Sequence, residues 1–375
     1  MNHRLGIVGG GQLGRMVAFD AKRLGFAVTV LDPEPNSPAG QVADEHIVAA
    51  YDDDAAVRRL AKSVDFITYD IESAGKGVLA ELAENGKQVN PSPWTLNMIR
   101  DKLGQHRWLR EVGIPVAEFM EVETDEDIKQ AGETFGYPLV LKARFDAYDG
   151  RGNAIIKSSD EIASVKEKLA GRELYVEQTV PFIKELAVIA VRGMDGAIAV
   201  YDAVETIHEN NICHMVYAPA RVEKTVVHKA RELAEQVVGQ LKGAGVFAVE
   251  MFISADGKVI VNEIAPRVHN SGHLTIEAAV TSQFEQHVRA VTGLPLGDTS
   301  LKVPAAVMIN ILGERSGPAN PEGLAEALAI PGVSVHIYGK AKTWPQRKMG
   351  HITAIADTLE AAEQKALEAR KAVTI

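Results

Sequence analysis

Glu250 and Glu263 lie in two apolar runs, 246–253 and 259–264, that flank the turn-forming dipeptide Asp256-Gly257. Apolar runs on either side of Asp-Gly predict a β-hairpin. Counting outward from a two-residue loop at Asp256-Gly257 sets Glu250 opposite Glu263. Side chains so paired have Cβ atoms about 5 Å apart, and two ionised carboxylates at that spacing repel. Their strand neighbours Val249, Met251 and Ile264 are apolar, so burial sharpens the conflict. A cation between the acids resolves it, and hard carboxylate oxygens suit Mg²⁺. Asn262 adds a neutral amide beside Glu263. Two hydrated glutamates on an open sheet face are the other reading, and a loop of odd length would break the register.

The residues that follow, Ala265 to His273, gather a proline, Arg267, His269, Asn270 and His273 in a stretch unsuited to helix or strand. It reads as a polar loop at the end of the strand carrying Glu263. A histidine in a loop is more often structural than catalytic, but beside a carboxylate pair Arg267 and His269 become catalytic candidates. Lys340, Lys342, Arg347 and Lys348 cluster again near the C-terminus, either as a solvated loop or as a phosphate site. Lys142 ends an apolar strand just before the glycine-bearing segment 144–152. It is a further candidate for phosphate contact, with the segment as a candidate flap. Gly9 to Gly14 matches G-x-G-x-x-G between a strand and a helix, and Asp32 ends the next strand. Three readings stand: a dinucleotide fingerprint, a site for a small phosphorylated ligand, and a structural tight turn. No G-x-x-x-x-G-K-[ST] occurs, which excludes a P-loop.

These groups need a frame. Strand signals at 4–8, 27–31, 46–49 and 65–69 alternate with helix signals at 13–24, 53–62 and 77–84, predicting a parallel sheet with right-handed crossovers. Asn90-Pro91-Ser92-Pro93 interrupts the pattern. Mixed segments follow, including a helix over 100–111 and strands at 138–143, 153–157 and 173–177. Strands then dominate from 184 to 267 around one helix near 226–242, and 302–375 adds strands and a closing helix. The expected class is α/β and α+β, with domains at 1–93, 94–180, 181–300 and 301–375.

The chain has 375 residues, 46% of them hydrophobic and 24% charged, which is ordinary for a globular protein. A net charge of −10 without a basic half argues against nucleic-acid binding. Any anionic small molecule must then meet a local cluster of cations. Cys213 is the single cysteine, which excludes an internal disulfide and fits a reducing compartment. No apolar run reaches the roughly 18–20 residues of a membrane span, and Gly9 to Gln12 interrupt any signal core. A cytoplasmic protein with no nucleic-acid or membrane partner is expected.

Lys142, the flap residues Tyr148-Asp149-Gly150-Arg151-Gly152-Asn153, the run Glu177-Gln178-Thr179-Val180, Glu185, Glu250, Asn262-Glu263 and the string Ala265 to His273 together resemble an ATP-grasp ligase. Gly9 to Met16, Ala147 to Asn153, Glu263 to His273 and Arg347 to His351 are similar, more narrowly, to the N5-carboxyaminoimidazole ribonucleotide synthetase family, and the resemblance runs over essentially the whole chain. It implies an ATP-grasp fold with an N-terminal Rossmann-like parallel-sheet domain and a small C-terminal domain. It also implies ATP- and bicarbonate-dependent carboxylation of the amine of 5-aminoimidazole ribonucleotide, through carboxyphosphate, in purine synthesis. Mg²⁺ would be held by Glu250 and Glu263. ATP would be held by Lys102, Lys142, Ala147, Tyr148, Asp149, Gly150, Arg151, Gly152, Asn153, Glu177, Gln178, Thr179, Val180, Glu185, His208, Asn262 and Glu263. In that set Glu177 and the backbone of 178–180 read adenine, and Glu185 accepts from the ribose.

The resemblance places the ribonucleotide at Gly11, Gln12, Leu13, Glu72, Asn270, Lys340, Arg347 and Lys348. Arg267, His269, Tyr148, Asp149 and Arg151 would carry the chemistry, in a homodimer. Two departures stand out. Asp146-Ala147 replaces the Gly-Gly of many bacterial members, which stiffens the flap. Lys102 stands where an arginine is usual, keeping the charge but not the bidentate fork. The competing readings are a formate-dependent transformylase, an NAD(P)-dependent oxidoreductase built on the Gly turn and Asp32, and a non-catalytic nucleotide sensor.

Overall fold

Five parallel strands, β1 (Arg4–Val8), β2 (Ala27–Leu31), β3 (Glu45–Ile47), β4 (Phe66–Tyr69) and β5 (Gln88–Val89), form the first sheet in the order β3-β2-β1-β4-β5. The computed structural model describes residues 3–74, 77–146 and 152–375. β1 and β2 are buried from their second residue onward, because α1 (Gln12–Arg23), α2 (Asp54–Ser63) and α3 (Val78–Glu84) pack on the sheet. The strand order reverses between β1 and β4, so the loops after those two strands open onto one crevice.

Ser92 accepts a hydrogen bond from the N–H of Thr95 and starts α4 (Pro93–Arg100), with proline at the first position. Asp101 is extended and separates α4 from α5 (Lys102–Glu111), so the helix expected over 100–111 is two helices with a break where Lys102 begins. Ile99, Leu109 and Ile114 pack into the core of the large sheet described below.

A small antiparallel sheet follows, built from β6 (Phe119–Val122), β7 (Leu139–Ala143), β8 (Asn153–Ile156) and β9 (Leu174–Gln178) in the order β6-β9-β7-β8. It is backed by α6 (Asp125–Phe135) and α7 (Ile162–Glu167). A reciprocal capping box between Thr124 and Asp127 fixes the start of α6.

The large sheet comprises β10 (Phe182–Arg192), β11 (Ile198–Val200), β12 (Val204–Glu209), β13 (Ile212–Ala218), β14 (Gly245–Ser254), β15 (Val259–Ala265) and three later strands. α8 (Lys224–Gln240), α9 (Thr275–Ala278) and α10 (Gln283–Thr292) pack against it. The later strands are β16 (Ala305–Leu312), β18 (Val333–Ile337) and β20 (Lys348–Ala356), set apart in sequence by β17 (Gly317–Pro318), α11 (Leu324–Leu328) and β19 (Lys342–Thr343) and covered by α12 (Leu359–Ala372). The order β15-β14-β10-β12-β13-β16-β20-β18 makes one ladder, with β11 beside β10. The C-terminal segment thus continues the large sheet, because β13 pairs with β16 from Met215–Ile309 to Ala218–Ala306.

Candidate active site

Glu250 and Glu263 are paired partners on β14 and β15. The route to that pairing differs from the two-residue hairpin. The loop holds three residues, 255–257, closed by Ser254 N–H to Lys258 C=O at 3.0 Å, with Gly257 at φ 78°. Met251 therefore faces Val261 rather than Asn262, and a bulge at Asn262 restores the register at Glu250 and Glu263. In a regular strand neighbouring side chains point to opposite faces. Here both Asn262 and Glu263 leave the core side, while Val261 and Ile264 stay fully buried.

The two acids are not equivalent. Burial and the nearby Glu263 push the Glu250 carboxyl above its ordinary range. Glu263 is drawn below it, because Lys102, Lys142 and Arg267 outweigh burial. Lys102 Nζ lies 2.6 Å from Glu263 Oε1. His269 Nε2 lies 3.2 Å from Glu250 Oε1, and its Nδ1 faces the hydroxyl of Ser271 at 2.9 Å and the backbone N–H of Ser271 at 3.4 Å. An Nδ1 that accepts from a backbone N–H leaves the ring proton on Nε2, aimed at Glu250. Burial, with Arg267 and Lys348 nearby, holds the His269 imidazole well below its usual range and hence neutral. Glu185 pairs with His208 Nδ1 from β10 and β12, and holds that imidazole above its usual range against the effect of burial.

Among the described residues no group of three or more His, Cys, Asp or Glu is arranged to hold a metal ion. The donor set at Glu250 and Glu263 is two hard carboxylates plus the Asn262 amide. That suits an ion which brings phosphate and water as its remaining ligands, the habit of Mg²⁺.

Lys142 reaches the same cluster from the small sheet. Its Nζ lies 2.6 Å from Glu177 Oε2, while Glu177 Oε1 accepts from the Tyr175 hydroxyl at 2.7 Å and lies 3.0 Å from His106 Nε2. Both oxygens of Glu177 have partners within the protein, and the residue is 4% exposed. Gln178 and Thr179 donate their side chains to the carbonyls of Phe135 and Pro138. Arg144, at the base of the expected flap, clamps Asp101 through Nε at 3.0 Å and a terminal nitrogen at 2.6 Å, and its carbonyl accepts from Lys102 N–H at 2.9 Å. Gly152 and Asn153 end the expected flap, with Asn153 paired to Lys142 across β7 and β8. Ala147, Tyr148, Asp149, Gly150 and Arg151 lie outside the described residues.

The glycine turn after β1 is filled by the protein's own acids. Asp70 Oδ2 accepts from the N–H groups of Gly11 and Gly14 at 2.8 and 3.0 Å, and Asp32 Oδ2 accepts from Gly10 N–H at 2.7 Å. Asp32 also takes the hydroxyl of Tyr51 and the N–H of Glu34. These bonds correct the dinucleotide reading, and with it the NAD(P)-dependent oxidoreductase: a pyrophosphate finds those N–H groups taken, and Asp32 is not free to hold a ribose. The signal missed in the sequence was Asp70, whose role depends on β4 lying beside β1.

The other expected ribonucleotide residues divide. Glu72 accepts from Arg267 Nε at 2.8 Å and joins the crevice to the loop after β15. Gln12 is partly exposed at the head of α1. Leu13 is a core residue, which leaves only its backbone. Asn270 spends its amide on a reciprocal pair with Asn310, at 3.0 and 2.6 Å, so its side chain is a structural tie rather than an open contact. Lys340 donates to the carbonyl of Lys348 at 2.7 Å, and Arg347 stacks 3.9 Å from the Trp344 ring centroid. This loop docks on the first sheet's domain where Gln41 donates to the carbonyl of Gly339 at 2.7 Å and is held by Arg15 at 2.9 Å. The glycine turn, the basic loop and the glutamate pair thus border one region.

Residues 1–100 match the ribonucleotide synthetase preATP-grasp domain, 107–284 the ATP-grasp domain, and 306–365 the phosphoribosylaminoimidazole carboxylase C-terminal domain. The phosphoribosylaminoimidazole carboxylase of Ogataea methanolica is 45% identical over 369 residues, covering 96% of this chain and 68% of that protein. The chain spans about two thirds of the length of the curated fungal relatives it matches, 65% of that of Candida albicans for example. The crystal structure of N5-carboxyaminoimidazole ribonucleotide synthetase from Thermotoga maritima is similar at a TM-score of 0.90 with 46% identity, over 99% of both chains. That of N5-carboxyaminoimidazole synthase from Aspergillus clavatus, in complex with ADP and 5-aminoimidazole ribonucleotide, is similar at 0.91 with 41% identity, again over 99% of both chains.

Proposed function

Because the chain belongs to the N5-carboxyaminoimidazole ribonucleotide synthetase family of ATP-grasp ligases, we propose that it uses ATP and bicarbonate to carboxylate the amine of 5-aminoimidazole ribonucleotide in purine synthesis. The observation that carries this reading is the convergence of the Glu250–Glu263 pair, Lys102, Arg267 and His269 beside the crevice at Glu72.

Bicarbonate is a poor electrophile. Its oxygen attacks the γ-phosphorus, ADP leaves, and the product is carboxyphosphate. The amine nitrogen then attacks the carboxyl carbon, phosphate leaves, and the nitrogen loses a proton. The first step asks the protein chiefly for positioning and charge neutralisation. Lys102 and Lys142 supply positive charge to the ATP phosphates, and Glu185 with His208 borders the nucleotide. Glu250 and Glu263 would hold Mg²⁺, which when bound neutralises charge on the phosphates. Arg267, fixed by Glu72, holds the anionic bicarbonate, and His269 borders it as a neutral ring whose single N–H lies against Glu250. Lys340, Arg347 and Lys348 suit the ribonucleotide phosphate, since the glycine turn has no free N–H groups at Gly10, Gly11 and Gly14 to offer it. Tyr148, Asp149 and Arg151 would close over the intermediate and keep water out. A homodimer and a cytoplasmic location belong to the same proposal, checked by light scattering and cell fractionation.

The test is ADP release with 5-aminoimidazole ribonucleotide, with and without bicarbonate. Release that needs both supports the reading. Formate-dependent release without bicarbonate replaces it with the transformylase, and ATP binding without substrate-dependent release replaces it with a sensor.

A further inference from the structure

We infer that Gln283, the first residue of α10, is a positioning residue for the proposed carboxylation: its carboxamide grips both backbone groups of His269 and sets the line along which that imidazole enters the site. The inference rests on the proposed part of His269 beside bicarbonate.

A glutamine amide carries an acceptor oxygen and two N–H donors. Gln283 Oε1 accepts from the His269 N–H at 3.0 Å, and Gln283 Nε2 donates to the His269 C=O at 2.7 Å. Nε2 also lies 3.3 Å from His273 Nδ1. Turning the amide over would set donor against donor and acceptor against acceptor, so one orientation alone satisfies the loop. The side chain thus does for His269, beyond the end of β15 at Ala265, what a neighbouring strand does inside a sheet. With both peptide groups tied, the Cα–Cβ bond of His269 has a fixed direction, and Ser271 at Nδ1 sets the rotation of the ring. Gln283 can do this only if it is itself immobile. It is 0% exposed, its own N–H donates to Thr275 Oγ1 at 2.9 Å, and that hydroxyl donates to the Gly272 C=O at 2.6 Å. Ser282, just before it, caps α10 by accepting from Glu285 N–H at 3.0 Å and donates to Asp20 Oδ2 of α1 at 2.9 Å. Because α1 starts at the glycine turn, His269 is held in register, through α10, with the domain that carries the crevice.

The test is ADP release by the full chain at saturating 5-aminoimidazole ribonucleotide and bicarbonate, beside ATP affinity by calorimetry. Gln283→Met keeps the length of the side chain and removes the amide. Its kcat should fall about 10- to 100-fold, the scale for a misplaced catalytic group, while ATP affinity stays within about twofold. The fall should vanish in a His269→Ala background, because the glutamine acts through that imidazole. Thr275→Val removes the hydroxyl that anchors Gln283 and should show the same pattern at about threefold, which serves if Gln283→Met does not fold. Wild-type kcat in folded Gln283→Met, an equal fall beside His269→Ala, or a loss carried by ATP affinity overturns the inference. Wild-type kcat in His269→Ala alone is a separate failure, which falls on the proposed function.

Discussion

Glu250 and Glu263 face each other across β14 and β15 because Asn262 is an extra residue in the ladder, offsetting a three-residue loop. The pair places like charges together in a buried setting, and its two members have different neighbours. Lys102 partners Glu263 at 2.6 Å, whereas the neighbour of Glu250 at 3.2 Å is the neutral His269.

Charge removal at the two positions should therefore separate activity from stability. Both Glu250→Gln and Glu263→Gln are expected to cut ADP release at least about 100-fold, the scale of lost charge stabilisation in a transition state. Glu250→Gln should raise folding stability by about 1 kcal/mol through relief of repulsion. Glu263→Gln should not, because it strips Lys102 of its partner. Thermal melts beside the ADP assay check both. Equal stabilisation by the two variants would contradict the assignment of Lys102.

Arg267 and Glu72 join the loop after β15 to the first domain's crevice. Arg267→Lys keeps the charge but cannot place two donors on Glu72, and kcat is expected to fall about 100-fold. Glu72→Gln keeps Arg267 in place more loosely, so KM for bicarbonate should rise about tenfold with a smaller change in kcat. Steady-state kinetics at saturating ATP separate the two.

Asp70 carries a pH signature. Burial, with Asp32 nearby, lifts its carboxyl to about 6 against the N–H groups of Gly11 and Gly14. A carboxyl raised on folding contributes most below its unfolded value near 4, and that contribution is lost as pH rises through about 6. Asp70→Asn has no such charge to bury. Its stability relative to the wild type should climb by about 1–3 kcal/mol between pH 4 and pH 7, as read from urea midpoints. A difference that is flat with pH would show that Asp70 titrates normally.

Gly9 and Gly25 both have positive φ, at 99° and 87°. A Cβ on Gly9 would come within 1.7 Å of Asp70 Oδ1, whereas one on Gly25 meets nothing within 4 Å. Gly25→Ala should cost about 1 kcal/mol in backbone strain alone. Gly9→Ala should cost at least about 1–3 kcal/mol more, since Asp70 must leave the helix it caps. Comparison of the two melts checks the difference.

The parallel first domain, the hairpin that brings Glu250 to Glu263, the polar loop with Arg267 and His269, and the strand-end position of Lys142 are all legible along the chain. Each rests on local signals: period, turn residues and short offsets along one chain. Even there the Asp256-Gly257 rule led to the right pair through the wrong loop, because a bulge leaves no mark in an apolar run. Tertiary packing alone settles that Asp32 and Asp70 close the glycine turn, that Asn270 binds Asn310, and that Glu177 pairs with Lys142. In each of these the deciding partner comes from another strand or loop. A buried polar atom must find a partner, and which one it finds depends on the strands that pack beside it, a choice that spacing along the chain does not encode.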